Sequence, residues 1–485
     1  MIPGPTLNLG APCHRRGGIL LLTLVFGAIG VLLMGGLVSW AVSNLKLSNV
    51  RYQSEVAFQI AEAGVNYYRW HLAHAATDFK DGTGQPGPYV HTFLDKDGVT
   101  LGSFSLTLDP PPTGSTVVTI TATGTAQSNP KHHRTVRAKL AIPSLASYAV
   151  GANADMRFGA GTTVYGPIHS NGGIRFDAVA YNTVTSAKST YTDPDHGGQP
   201  EFGVHTHLSP TDPLPPSAVP SRPDVFVAGR QFPVPAIDFA GLSANLAQLK
   251  TDAQGSGRYL ASAGAQGYRV VLKTNDTFDL YRVNSLRSTS GNCRNWLGQS
   301  GWSSWSINTT SSAQTFLANY AFPGNGILFI EDNVWVEGQM QTARLTIASA
   351  RFPENPTTNT SITVNTNVRY TTYDGQEALA LITQNNINVG LYSDNVLQID
   401  GALVAKNGRV GRYYYASQCG TTYIRSTITL NGMLATNQRY GFAYTDGTGY
   451  QTRNLNYDAN LLYGPPPSFP LTSNQYVLIS WEEVH

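Results

Sequence analysis

The feature that most constrains this chain is an uncharged run near its start. Between Ile19 and Val42 the only side chains that are neither apolar nor glycine are Thr23 and Ser39. As a helix rising ~1.5 Å per residue, about 24 such residues are enough to cross the ~30 Å hydrocarbon core of a bilayer. The run is longer than the apolar core of a signal peptide, and no small-x-small cleavage signal follows it. From Leu45 through Ala63 the chain carries no Pro or Gly, so the helix is expected to continue. Val50, Val56, Ile60, Ala63 and Tyr67 then recur at intervals compatible with one face. One long helix is therefore predicted over 19–76, apolar in its first half and amphipathic in its second. Arg15 and Arg16 precede it without a compensating acid, which places the N-terminus in the cytoplasm and the rest outside.

A chain of 485 residues exceeds one ordinary core, so two or three units are expected. Only 13% of residues are charged, while Gly (48), Pro (28) and Tyr (25) are plentiful. That balance favours many short strands joined by turns. The net charge of +2, without a dense basic cluster, gives no support to nucleic-acid binding. Of the three cysteines, Cys13 lies before the membrane run, leaving Cys293 and Cys419 as a possible exported pair or as two unrelated thiols.

His14-Arg15-Arg16, then Gly17-Gly18, the apolar helix and Phe58-Gln59-Ile60-Ala61-Glu62-Ala63-Gly64 form a recognisable sequence. It resembles the N-terminal region of type IV pilin-like proteins, and more closely the PilX-like minor pilins. The resemblance spans about residues 14–75. It implies a leader over 1–18, cut by a prepilin peptidase at Gly17 or Gly18 so that the mature chain begins near Ile19. It also implies a filament helix bearing Ala61, Glu62, Ala63 and Gly64, with membrane lipids and other pilins or pseudopilins as partners. Major pilins usually carry Glu at the fifth mature position. This chain has Thr23 or Leu22 there, which fits a minor pilin at a filament tip.

Beyond the helix, Thr77–Pro88 is a Gly/Pro/Asp-rich break. Phe104–Leu108, Val117–Ala122 and Thr135–Leu140 alternate as strands, predicting a small antiparallel head over 89–143 with three or four strands packed on the helix. From 144 to 485 the texture changes. Short aliphatic triplets followed by Gly or Asn recur at Val164–Ile174, Ile327–Ile330, Leu345–Ala348, Leu397–Val404 and Ile428–Leu434. Such triplets suit the coils of a right-handed parallel β-helix, each burying its face on the next. Interruptions are expected at about 190–325, including a Pro-rich surface loop or linker at His207–Pro223, a short helix within Ala236–Gln254, and a Trp-rich excursion at Ser285–Gln314. The ending, with Asp458-Ala459-Asn460, Pro465-Pro466-Pro467 and Trp481-Glu482-Glu483, resembles large exported pilus-assembly proteins whose pilin-like N-terminus carries a β-rich passenger.

Parallel β-helices also scaffold polysaccharide-cleaving enzymes, so carboxylate pairs were sought among Glu331, Asp332, Glu337, Asp374, Glu377, Asp394 and Asp400. None forms a repeated pair, and no phosphate loop, dinucleotide fingerprint or nucleophile elbow occurs. Asp193-Pro194-Asp195-His196 and His205-Thr206-His207 could supply metal ligands, since alternate positions on a strand share a face, but His205 and His207 lie at the edge of a Pro-rich loop. No catalytic residue, metal or cofactor is assigned. The expectation is a mainly β, non-enzymatic minor pilin or pseudopilin. Its precursor spans the inner or plasma membrane once, and its passenger lies in the periplasm or at the cell surface. The passenger is a candidate to adhere to a surface ligand or polysaccharide. The alternatives are a membrane-tethered envelope protein and a tethered carbohydrate-active enzyme.

Overall fold

A computed structural model describes residues 17–112, 115–239, 241–471 and 475–484. The expected leader therefore lies outside the described residues up to Arg16. Helix α1 runs from Gly17 to His74, 58 residues without interruption. Its C-terminal half packs on an antiparallel sheet of β1 (Tyr89–Leu94), β2 (Thr100–Asp109), β3 (Val118–Ala126) and β4 (His133–Ala141). Ala57, Ile60, Ala61, Val65, Tyr68 and Leu72 of α1 are buried against Leu106, Ile120, Ala122, Val136, Ala138 and Leu140. Of the expected face, Ile60 is buried and Val56 and Tyr67 pack partly buried on the same core, but the stripe centres on Ala57, Ala61 and Tyr68 and leaves out Val50. The reason is close approach: a Cβ at Gly124 of β3 would lie 2.1 Å from the Ala57 carbonyl oxygen. Only small residues on the helix face let the backbones come so near.

The second body is a stack of parallel strands. One interior ladder runs Leu328, Ile347, Leu381, Leu403, Leu434, Val150, Ile168 and Val184, each residue in register with the next. A second runs Val334, Ile362, Ile387 and Val410. A third runs Val368, Ile399, Leu430, Leu455, Val164 and Ala180. All of these side chains are buried in one core. Full burial of each Leu, Ile or Val contributes roughly 1.5–3 kcal/mol, and only neighbouring coils can supply it.

The chain does not climb this stack in order. It enters mid-stack at Val150–Ala152, which pairs with Ile168–Ser170 on one side and Ile424–Thr436 on the other. It winds outward to Arg230–Gln231, then returns along the outside through α2 (Gly241–Gly255) to the opposite end at Arg258–Leu260. From there the coils run back inward to Gly449–Tyr457, which lies between Ile424–Thr436 and Thr162–Val164. Leu246, Leu249 and Ala253 of α2 cover the outer face, where Ala348, Ala380, Ala402 and Ala435 stand. Alanine there keeps the sheet surface low enough for a helix to lie on it.

Entry and exit are tied together. The amide of Ser144 donates to the Leu462 carbonyl at 3.0 Å, and that of Leu145 to Pro470 at 2.9 Å. After leaving the stack the chain returns to the head, where Val477–Val484 pairs antiparallel with β4 as a fifth strand. Two expectations are corrected here. The passenger does not run to residue 485, because it is inserted between two adjacent strands of the head sheet. The region 190–325 is not wholly an interruption, because Arg258–Leu260 and Gly267–Leu272 are coil strands paired with Ile327–Ile330 and Val334–Gln339.

Both ends of the stack are closed. At one, Thr277–Val283 pairs antiparallel with the open edge of Gly267–Leu272, and Gln314–Ala321 pairs antiparallel with Thr277–Val283 in turn. At the other, the Pro-rich segment is held down by the buried carboxylate of Asp212, which faces Arg222 at 3.4 Å and also pairs with Arg230. It is the expected irregular surface loop, anchored as a cap by that buried charge pair and not a linker between units.

Candidate functional site

The apolar half of α1 stands free of the rest of the chain, and its most apolar window is wholly exposed. Ile19, Leu24, Phe26, Leu32, Leu33, Met34 and Trp40 are each more than 60% exposed. Such a surface is costly in water, and the helix is long and apolar enough to cross a bilayer. Thr23, the polar residue at the expected fifth mature position, donates to the carbonyls of Ile19 and Leu20 at 3.0 Å and leaves no unpaired hydroxyl. Gly17, Gly18 and Ile19 form the start of this helix.

The Ala61-Glu62-Ala63-Gly64 sequence sits lower, on the head. Ala61 and Gly64 are buried, while Glu62 and Ala63 are half-buried. A Cβ at Gly64 would come within 3.0 Å of the Phe104 ring and 3.2 Å of the Ala122 Cβ. Within this chain the sequence therefore seats α1 on its own sheet.

Cys293 and Cys419 are joined, with Cα atoms 4.1 Å apart. Around them Trp302 and Trp305 pack on Leu391, Tyr413 and Tyr415, so the Trp-rich excursion is a satellite core on the side of the stack. Trp302 Nε1 donates to the Tyr414 carbonyl at 2.9 Å. Trp296 remains exposed.

The carboxylates singled out from sequence are mostly occupied locally. Glu331 accepts from Tyr259 Oη at 2.7 Å and pairs with Lys250. Asp332 faces Arg351 at 3.3 Å, Glu337 pairs with Arg269, and Asp374 accepts from Gln376 at 2.8 Å. Burial pushes the Asp394 carboxyl upward. A concavity of ≈ 360 Å³ is lined by Tyr370, Tyr373, Glu377, Asn431, Asn456 and Asp458, and the fully buried Asp400 lies behind it, bonded to its Tyr370 and Tyr373. Asp400 accepts from Tyr373 Oη at 2.6 Å, from the Tyr370 amide at 2.8 Å and from Asn431 Nδ2 at 2.7 Å. Asn456 Nδ2 donates in turn to Asn431 Oδ1 at 2.7 Å. Asp400, Asn431 and Asn456 stand in register on three successive coils, which is why the stack aligns them. Burial, with Asp400 adding to it, pushes the Tyr373 phenol up to about 12. Burial likewise raises the Asp458 carboxyl. Such a surface offers hydroxyl, amide and carboxylate groups to a polar ligand.

A further group forms where a hairpin (Thr190–Thr192 with Pro200–Phe202) folds against the strand Val204–His205. The amide of Asp195 donates to Asp193 Oδ1 at 2.9 Å, and Gly197 and Gly198 turn the chain at φ 39° and 84°. That turn carries His196 back over Glu201, with Nδ1 2.8 Å from Oε1. His207 Nε2 lies 3.3 Å from the same carboxylate, and Asp193 Oδ2 is 3.6 Å from His205 Nε2. Arg175 Nη1 lies 3.4 Å from Asp193 Oδ2. Burial tends to raise the Asp193 carboxyl, but His205, the Asp195 amide and Arg175 together hold it well below the usual range. Burial, helped by Arg175 and His205, pushes the His207 imidazole down and favours its neutral form. Glu201 carries no signal of this role in the sequence; only the hairpin pairing brings it beside His196 and His207.

No protein-family model matches the chain, and no curated protein matches it. Among solved structures, the chain is similar to the competence-associated pilin ComZ from Thermus thermophilus at 13% identity, covering 89% of this chain and 98% of that one with a TM-score of 0.30. At that score the likeness carries no argument about residues or function.

Proposed function

We propose that the chain is a type IV pilus-associated minor pilin or pseudopilin of the PilX-like kind. Its precursor is anchored in the inner or plasma membrane, processed by a prepilin peptidase at Gly17 or Gly18, and assembled near a filament tip. The observation that carries this reading is the division of α1. One half is buried on its own head, and the other presents an unbroken apolar surface that bilayer or neighbouring helices would cover. Extraction from the membrane is offset when the same surface packs among pilin helices. The inserted passenger, held at both ends by the head, would stand outside as a non-enzymatic display body, and the concavity lined by Tyr373, Asn431 and Asn456 is a candidate contact for a polysaccharide.

A charge in the exposed half tests the assembly step. Leu33→Asp places a carboxylate near the middle of the span, where a charge costs ~2.5–3.5 kcal/mol on insertion scales. Wild-type chain is expected in filaments sheared from its own host, with the variant recovered at least tenfold less. Absence of the wild-type chain from such filaments, or equal recovery of both, would favour a plain membrane-tethered envelope protein.

A further inference from the structure

We propose that His196, Glu201 and His207 bind a divalent transition-metal ion of the zinc class on the passenger, with the fourth position open to water. Two imidazoles and a carboxylate are a ligand set that zinc favours. Their ligand atoms all lie within 4.8 Å of one another. His196 Nδ1 and His207 Nε2 are 2.8 Å and 3.3 Å from Glu201 Oε1. A tetrahedral site with arms of ~2.0–2.1 Å has edges of ~3.3 Å, so small rotations suffice.

A second observation is independent of that spacing. Glu201 is 1% exposed and His205 is fully buried, yet Glu201 Oε2 and both ring nitrogens of His205 make no hydrogen bond. A buried carboxylate oxygen left without a partner is costly, and more so when it carries charge. A cation seated between the His196 and His207 rings would satisfy the free carboxylate oxygen of Glu201, while His205 Nε2 faces Asp193 Oδ2 at 3.6 Å. The His205 and His207 rings are 5.0 Å apart, and those of His196 and His207 are 4.3 Å apart. Asp193 is not assigned as a ligand, because Arg175 already faces its carboxylate at 3.4 Å. The side chain of His196 is 47% exposed, which gives an ion a path from solvent.

The test uses the full chain in detergent, stripped with a chelator and titrated with Zn²⁺ alone by calorimetry. Co²⁺ substitution supplies a visible absorption band as a second readout. One equivalent is expected to bind in the micromolar range or tighter. The double variant His196→Gln/His207→Gln should bind at least 100-fold more weakly and lose the Co²⁺ band while keeping the circular dichroism of the wild type. Glu201→Gln should weaken binding at least tenfold, and it serves as the single-site check if the double variant fails to fold. No saturable binding by the wild type, or wild-type affinity in the folded variants, would overturn the proposal.

Discussion

Gly432→Val is expected to destabilise the passenger by roughly 3–5 kcal/mol, read as a fall in its urea midpoint. Gly432 lies where the strand Ile424–Thr436 turns from the third interior ladder at Leu430 to the first at Leu434. Its φ is 152°, and its register partner Gly401 has φ 133°. A Cβ at Gly432 would stand 2.0 Å from the Gly401 carbonyl oxygen and 2.6 Å from its carbon. The contact is with backbone, so no rotamer relieves it. A β-branched residue would add ~1–3 kcal/mol of backbone strain to ~1–3 kcal/mol of forced separation between coils. Because each coil buries its face only on its neighbours, the loss spreads to Leu403 and Leu434. Gly291→Ala provides the control, since nothing lies within 4 Å of its added Cβ. An unchanged midpoint for Gly432→Val would mean that the coils do not stack in this register.

Removing the Cys293–Cys419 link should have a comparable effect in a different place. The two residues are 126 positions apart. A chain-entropy treatment of a loop that long gives about 4–5 kcal/mol. The stack already joins much of that loop through strand pairing, so the loss is expected to concentrate in the excursion that the bridge holds down. In Cys293→Ser/Cys419→Ser, Trp302 and Trp305 would lose their tie to Tyr413 and Tyr415. Proteolysis within 285–314 should then rise at least tenfold, and tryptophan emission should shift before the main unfolding step. Alkylation of both thiols in the native, unreduced protein would show instead that the link does not form.

Much of this architecture was legible in the residues. The apolar run from Ile19 to Val42 was readable because a membrane-length helix needs only composition and length. Triplets such as Leu345–Ala348 and Leu397–Val404 showed their stacking habit because a buried coil face must be aliphatic. The order of the coils was not readable. Nothing local in Val150–Ala152 says that it pairs with Leu434–Thr436, nearly three hundred residues away, and nothing in Val477–Val484 says that it completes a sheet begun at Tyr89. The helix face was read without Ala57 and Ala61 because alanine and glycine, weak signals of hydrophobicity, decided the contact at Gly124. The place of Glu201 beside the histidines was not readable either: a glycine turn separates it from His196, and their convergence depends on the pairing of Tyr191 with Glu201.

Whether α1 is a processed filament helix, as proposed, or a permanent anchor is decided by the N-terminus of the mature chain. Intact-mass measurement and terminal peptide sequencing on protein from the membranes and filaments of its own host are expected to show a chain beginning at Gly18 or Ile19, with a methylated amine. A chain that still carries Cys13 and Arg16 would contradict the account.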